Sequence, residues 1–302
     1  MDSPDLWVCS LSASAQEILE RALHLSSLGT DGLDSAFQAD RARLVSELAP
    51  AREALERGRG FAIVEAARLL AELSAEAATK AYWLVGKALG EPTAQNVQGD
   101  LLYDVRDTGR SLAEGARFSV TNHESSFHTD NSFGDAIVDY VGLLCIQSAK
   151  FGGVSQLLSG YALLEELKAH DPEVFQVLEQ PFHVDRRGGF RAGEAPTTWR
   201  PVIAWDSAGE LVLRYLRFWI EEGHRKAGQP LTAEQIHALD ALDQIAARPD
   251  LRVDFTMRPG QMQFINNRWI LHNRTAFEDH PQVERRRHLV RLWLERRDRD
   301  VA

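Results

Sequence analysis

Apolar positions recur at helical spacing over residues 13–26 and 37–57, and again over 73–90 with a glycine stop at Gly90. Between them "GFAIVEA" (60–66) has the apolar density of a short buried strand. Residues 95–121 are polar and turn-rich, which suits loops or short strands. The run "AIVDYVGLLCIQSA" (136–149) is β-rich and mostly apolar, as a central strand would be. "FGGVS" (151–155) reads as a turn and 160–170 as an amphipathic helix, whereas 181–210 looks irregular. Two helices are expected over 213–228 and 231–250, the second opened by Thr232-x-x-Gln235 in a capping-box pattern. Alternation returns at Val253, Phe255 and Met257, and after a Pro-Gly turn in a strand leading to His272. In 287–295 it puts Arg287, Leu289, Arg291 and Trp293 on one face, and His288, Val290, Leu292 and Leu294 on the other. The pattern predicts a mainly β protein with flanking helices: one domain over 1–302, with an N-terminal helical region (1–59) and a β core (60–302) carrying a helical insertion at about 160–250.

Composition narrows the function classes. The 302 residues are 44% hydrophobic and 26% charged, enough to bury a sizeable core. A formal net charge of -10 argues against nucleic acid and anionic membrane as partners, both of which need a basic surface. The two cysteines, Cys9 and Cys145, lie far apart and imply no disulfide framework. With neither a signal-peptide pattern nor an 18-residue apolar run, the expectation is a soluble, cytoplasmic protein with a small-molecule partner, compatible with homo-oligomerisation. The dispersed tryptophans Trp199, Trp205, Trp269 and Trp293 read as core.

The candidate chemistry lies in "SSFHTDNSF" (125–133). On a strand, His128 and Asp130 would project from one face, forming half a metal site or a polar pair. His272, at a predicted strand end, offers a third ligand. Two histidines and one carboxylate on a metal with open positions suit a non-haem Fe(II) oxygenase; a zinc hydrolase can use the same ligand set. An arginine facing inward from 287–295 needs a carboxylate or phosphate partner, and that strand supplies none nearby, so a dicarboxylate ligand is a natural candidate. Arg285 and Arg286 read as solvated turn residues.

His128-x-Asp130, the remote His272 and the arginine that follows it, together with "GLLCIQSAKFGGVSQLLS", "NNRWILHNRTAFED" and "RRHLVRLWL", resemble the Fe(II)- and 2-oxoglutarate-dependent dioxygenases of the taurine dioxygenase and clavaminate synthase-like superfamily over about residues 60–295. The resemblance implies a double-stranded β-helix, or jelly roll, with His128, Asp130 and His272 as iron ligands. It implies Arg287 as the clamp on the distal 2-oxoglutarate carboxylate, assisted by Ser155, and Arg291 as a contact to an acidic group of substrate or cosubstrate. The chemistry so implied couples oxidative decarboxylation of 2-oxoglutarate by O2 to hydroxylation, desaturation or cyclisation of a substrate. Retention of Asp130 disfavours the halogenating relatives, which lack that carboxylate.

Family habit points to an amino acid, an amino-acid derivative or a small carboxylate, in secondary metabolism or scavenging. Candidate substrate contacts are Gln95, Asn122, Glu124, Arg191 and Tyr215; Arg186 and Arg187 share the glycine-rich "DRRGGFRAGE" with Arg191, and Arg214 adjoins Tyr215. The alternatives are a non-catalytic jelly roll that binds 2-oxoglutarate or another metabolite, and a zinc-dependent hydrolase using the same triad.

Overall fold

The computed structural model describes residues 7–24, 33–34, 37–71, 73–110, 118–188 and 193–297. In chain order the first strands are Val8–Ser10 (β1), Phe61–Glu65 (β2), Glu91–Thr93 (β3), Leu102–Val105 (β4) and Tyr140–Gln147 (β5). Phe151–Gly152 (β6) and Ser155–Ser159 (β7) follow, then Pro181–Asp185 (β8), Thr197–Pro201 (β9), Ile203–Trp205 (β10) and Leu211–Leu213 (β11). The last are Arg252–Phe255 (β12), Gln261–Asn266 (β13), Ile270–Arg274 (β14), Phe277–Glu278 (β15) and His288–Glu295 (β16). The larger sheet runs β1-β2-β13-β5-β16-β3, with β4 also paired to β16; a smaller one runs β12-β7-β14.

The apolar pattern explains this layering. β13 is buried at every position because both faces of the larger sheet are covered. Met262 and Phe264 pack with Tyr82, Trp83 and Leu84 of the helix Ala75–Leu89, and Val290, Leu292 and Leu294 of β16 join the same core. Each such leucine, fully buried, contributes about 1.5–3 kcal/mol. The helix starts where the Ser74 hydroxyl accepts a hydrogen bond from Ala77 N, and it lies close on the sheet: a Cβ on Gly86 would come within 2.3 Å of Leu292. Leu158 and Leu271 of the smaller sheet pack with Leu163, Leu164 and Leu242 from the helices Gly160–His170 and Ala233–Ala246. The second of these carries the expected capping box.

The structure corrects several expected elements. The segment 37–57 is two helices, Arg41–Glu47 and Ala49–Glu56, with Pro50 at the start of the second. Residues 181–210 are not irregular: β8 pairs with β9, and β10 with β11, so the insertion is mixed rather than helical. These strands are short and carry prolines and exposed tryptophans, Trp199 at 52% and Trp205 at 44%, so they lack an alternating signature and neither tryptophan is core. The helix expected over 213–228 begins only at Arg217, after β11. No helix among the described residues is long and apolar enough to cross a membrane.

Candidate active site

Between the two sheets lies a cavity lined by Val141, Leu143, Gln263 and Arg291 on one wall, and by Ser155, Leu157, His272 and Arg274 on the other. His272 and Arg274 are two apart on β14, so both face inward. The segment carrying His128 is not the regular strand that the spacing suggested. It meets β14 through a single bridge, His128 N donating to His272 O at 3.0 Å and His272 N to His128 O at 2.9 Å. Its other contacts do the work of a strand. Thr129 N donates to Tyr215 O, and the Thr129 hydroxyl donates to Leu213 O and accepts from Tyr215 N. Asn267 grips the main chain of Asp130: Asp130 N donates to Asn267 Oδ1 at 2.7 Å, and the Asn267 amide donates to Asp130 O and Val138 O. The chain then turns at Asn131, at φ 55°, a left-handed conformation that asparagine tolerates.

His128, Asp130 and His272 thereby converge, each offering one ligand atom, with these atoms all within 4.8 Å of one another. His128 Nδ1 lies 2.8 Å from Ser126 O, so that nitrogen carries the proton and Nε2 presents a lone pair toward Asp130. The carboxylate is divided between two tasks. Oδ1 faces both histidines, at 3.5 Å from His128 Nε2 and 3.7 Å from His272 Nε2. Oδ2 accepts from Trp293 Nε1 at 2.7 Å and from Arg291 Nη1 at 3.0 Å. Burial alone would raise the Asp130 carboxyl, but Arg291 and the two histidines outweigh it and hold it far below the usual carboxylate range. Burial, then the neighbouring His128, pushes His272 down to about 3, against the pull of Asp130. A neutral imidazole beside an ionised carboxylate is the form that ligates a divalent metal.

At the end of the cavity nearer Phe277, Arg287 is only 5% exposed and stacks over the Phe277 ring. Its main chain donates to Asp279, while its Nη1 is buried with no hydrogen-bond partner among the described residues. Burial pushes the guanidinium down to about 10, opposed by Cys145 and Asp279, so it is charged at neutral pH. Gly153, at φ 66°, permits this placement: a Cβ there would sit 3.3 Å from Arg287 Nε. Ser155 lines the same end, and Arg274 stacks on Phe277 as well while donating to Thr121 O and His123 O.

The Taurine catabolism dioxygenase TauD, TfdA family matches residues 24–293 of the chain. The chain belongs to this family. It is 30% identical to FR-33289 synthase of Streptomyces rubellomurinus (strain ATCC 31215) over 287 residues, covering 92% of this chain and 81% of the relative. It is also 32% identical to a uridine-5'-phosphate dioxygenase of Streptomyces sp over 208 residues, 65% of this chain and 72% of the relative. Among solved structures it is similar to an asparagine oxygenase in complex with Fe(II), 2S,3S-3-hydroxyasparagine and succinate: TM-score 0.74, 20% identity, 95% of this chain and 93% of the other. As a dioxygenase of this family, the chain uses Fe(II) and 2-oxoglutarate. Its residues fit both. The triad supplies two imidazole nitrogens and a carboxylate oxygen at one point, and Arg287 Nη1, without a hydrogen-bond partner among the described residues, supplies a buried donor suited to a carboxylate.

A second chamber opens on the other side of the triad, lined by Gln95, Ser119, Asn131, Ser132, Arg187, Trp219, Arg291 and Trp293 among others. Of the residues read from the sequence as substrate contacts, Gln95 reaches this lining, but its amide is engaged by Arg291: Oε1 accepts from Arg291 Nε at 2.7 Å, and Nε2 donates to Leu101 O and Arg291 O. Asn122 and Glu124 are exposed and line neither chamber; Glu124 takes the Asn273 amide instead. Tyr215 is not at the cavity at all, being fully buried in the core with its hydroxyl donating to Asp243 at 2.5 Å. Arg191 lies outside the described residues. Asn267, Arg274, and Trp293 as the donor to Asp130 were not legible as site residues. Only Arg274 had a usable signal, its two-residue spacing from His272.

Proposed function

We propose that this protein hydroxylates a C–H bond of a small polar substrate that carries an anionic group, with His128, Asp130 and His272 holding the iron. The overall change is substrate, 2-oxoglutarate and O2 to hydroxylated substrate, succinate and carbon dioxide, and the bound iron and cosubstrate supply the oxidising chemistry. Arg287, with Ser155 beside it, receives the distal carboxylate of 2-oxoglutarate; the buried Nη1, with no partner among the described residues, carries this assignment. Asp130 stays ionised because Arg291 and Trp293 hold its Oδ2, which keeps Oδ1 directed between the histidines. Gln95 fixes the plane of Arg291, at the junction of the two chambers. We read the β1-to-β3 sheet and the β12-β7-β14 sheet as the two walls of a jelly roll, with 1–302 a single domain. A reducing cytoplasm suits the two free cysteines, and a place in secondary metabolism suits the relatives from Streptomyces.

The names of relatives support the substrate class: an asparagine oxygenase, a uridine-5'-phosphate dioxygenase and a gamma-butyrobetaine dioxygenase all take small polar molecules with an anionic group. The test is anaerobic visible absorption on addition of Fe(II) and then 2-oxoglutarate. A charge-transfer band in the wild type that is lost in His128→Ala is the expected result. Iron uptake without a band would overturn the 2-oxoglutarate assignment.

A further inference from the structure

We propose that Gln263 is a further cosubstrate contact, its side-chain amide donating to the metal-side carboxylate of 2-oxoglutarate; this rests on the oxygenase reading above and deepens it. The first observation is where β13 places the residue. Met262 and Phe264 pack into the helical layer, so Gln263, between them, faces the other way and lines the cavity. In register it stands beside Leu143 of β5, and Leu143 stands beside Arg291 of β16. The three form one row across the inner face, at the level where Arg291 meets Asp130 and four residues along the chain from Arg287. Two strand spacings separate Gln263 from Arg291, about 10 Å at the backbone, a gap that suits a small ligand held between two long side chains.

The second observation is the state of the amide. Four glutamines are buried among the described residues: Gln95, Gln156, Gln261 and Gln263. Three of them have both ends of the amide engaged. Gln95 accepts from Arg291 Nε and donates to Leu101 O and Arg291 O. Gln156 accepts from Asn273 at 2.8 Å and donates to Asp254 at 2.9 Å. Gln261, two residues away on the same face of β13, accepts from Arg258 N and donates to Glu65, both at 2.9 Å. Gln263 has no such anchor. It is 1% exposed, its Oε1 is buried without a partner among the described residues, and the cavity wall near it carries Val141, Leu143 and Leu157. A desolvated amide left unbonded costs stability that an apolar side chain of the same size would not.

The third observation is chemical fit. The last torsion of glutamine is broad and roughly two-fold, so an untethered amide can turn its Nε2 to an acceptor that enters. Every oxygen of 2-oxoglutarate is an acceptor, and a carboxylate that gives one oxygen to a metal leaves the other for a donor from the protein. Arg291, the other polar member of the row, already has Nη1 on Asp130 and Nε on Gln95. The amide is neutral, so it supplies a donor to the anion without burying one more cation in the empty cavity.

The test is the anaerobic absorption titration with Fe(II) and then 2-oxoglutarate on wild type, Gln263→Met and Gln263→Glu, together with urea denaturation of the same proteins free of metal. Methionine keeps the length and removes the amide. The 2-oxoglutarate concentration at half-saturation should rise about tenfold, the loss of one charge-assisted hydrogen bond, with Fe(II) affinity unchanged. The urea midpoint should hold or rise, because an unbonded amide has left the interior. Gln263→Glu keeps the shape but sets an acid against the ligand, so it should bind 2-oxoglutarate more weakly still. In an Arg287→Ala background, Gln263→Met should cost the same factor again, since the two side chains hold opposite ends of the diacid. Half-saturation within about twofold of wild type in Gln263→Met, a urea midpoint that falls along with the affinity, or a factor that vanishes once Arg287 is gone would each overturn the proposal. The wild-type band is read first, so its absence counts against the oxygenase reading alone; the urea comparison still reads whether the Gln263 amide is tied within the protein.

Discussion

Trp293 Nε1 donates a 2.7 Å hydrogen bond to Oδ2 of Asp130, from the strand that also carries Arg291. An indole nitrogen donates and never accepts, so the contact favours the ionised form of Asp130, the stronger acceptor. The larger sheet thus determines how the carboxylate is presented, although the carboxylate itself belongs to a loop bridged to the smaller one.

Trp293→Phe should keep the packing and remove the donor. Partners of metal ligands are typically worth about 10–100-fold in metal affinity or activity. Fe(II) affinity measured by anaerobic titration should fall by about tenfold, with little change in the unfolding midpoint. Affinity within about twofold of the wild type would show that Arg291 alone orients Asp130.

Arg287→Ala should raise the 2-oxoglutarate concentration needed for half-saturation by about 30-fold, corresponding to about 2 kcal/mol for a buried charge-assisted contact. Iron affinity should stay near that of the wild type. The same anaerobic absorption titration reads both, and an unchanged half-saturation point would move the distal carboxylate to Arg274.

Asn267→Ala should lower stability by about 2–3 kcal/mol, because it leaves the buried main-chain N–H of Asp130 without a partner. Urea denaturation measures this. Metal affinity should fall with it, since Asn267 is what seats the Asp130 backbone beside the histidines. A stable variant that has lost only metal binding would mean that the loop is held by the Thr129 contacts alone.

Tyr215→Phe should cost about 1 kcal/mol of stability through loss of the bond to Asp243 and leave substrate affinity unaltered. A selective rise in KM would bring Tyr215 back as a substrate contact.

His224 supplies the pH dependence. Burial holds its pKa below the ordinary 6.5, outweighing the bond to Gln229 O. The unfolded chain therefore binds the proton first as pH falls, and stability is lost from about 6.5 downward until the lowered folded pKa is reached. Above that window the contribution is complete. Denaturation at several pH values should show a shallower loss in His224→Gln than in wild type, and parallel curves would assign the slope to other groups.

The triad was legible because metal chemistry imposes residue types at fixed places, and His128-x-Asp130 with His272 met that requirement in full. Arg287 was legible through the cost of burying a cation unpaired. Alternation through β16 was also readable, since Val290, Leu292 and Leu294 do face the helical layer. The strand pairs of 181–210 were not, because their pairing is sustained by contacts across the insertion rather than by local periodicity. Nor were Asn267 and Trp293. An asparagine that grips another segment's main chain and a tryptophan that hydrogen-bonds a carboxylate look in sequence like any polar turn or apolar strand position.

Arg287 and Arg291 stand four residues apart, immediately before and within an extended strand whose rise is about 3.3 Å per residue, so their backbones are spaced by roughly 13 Å. One of them touches Asp130, and the other closes the far end of the cavity. Peptide geometry therefore acts as a measuring rod. Under the proposed assignment of Arg287, that spacing would bound the length of diacid able to reach from the metal ligands to the far cation. On the assignment of Arg287 proposed above, a 2-oxo diacid one carbon shorter or longer than 2-oxoglutarate would be mismatched to this spacing. If Arg287 receives the distal carboxylate as proposed, discrimination among cosubstrates by chain length would begin with the spacing of two positions on one strand.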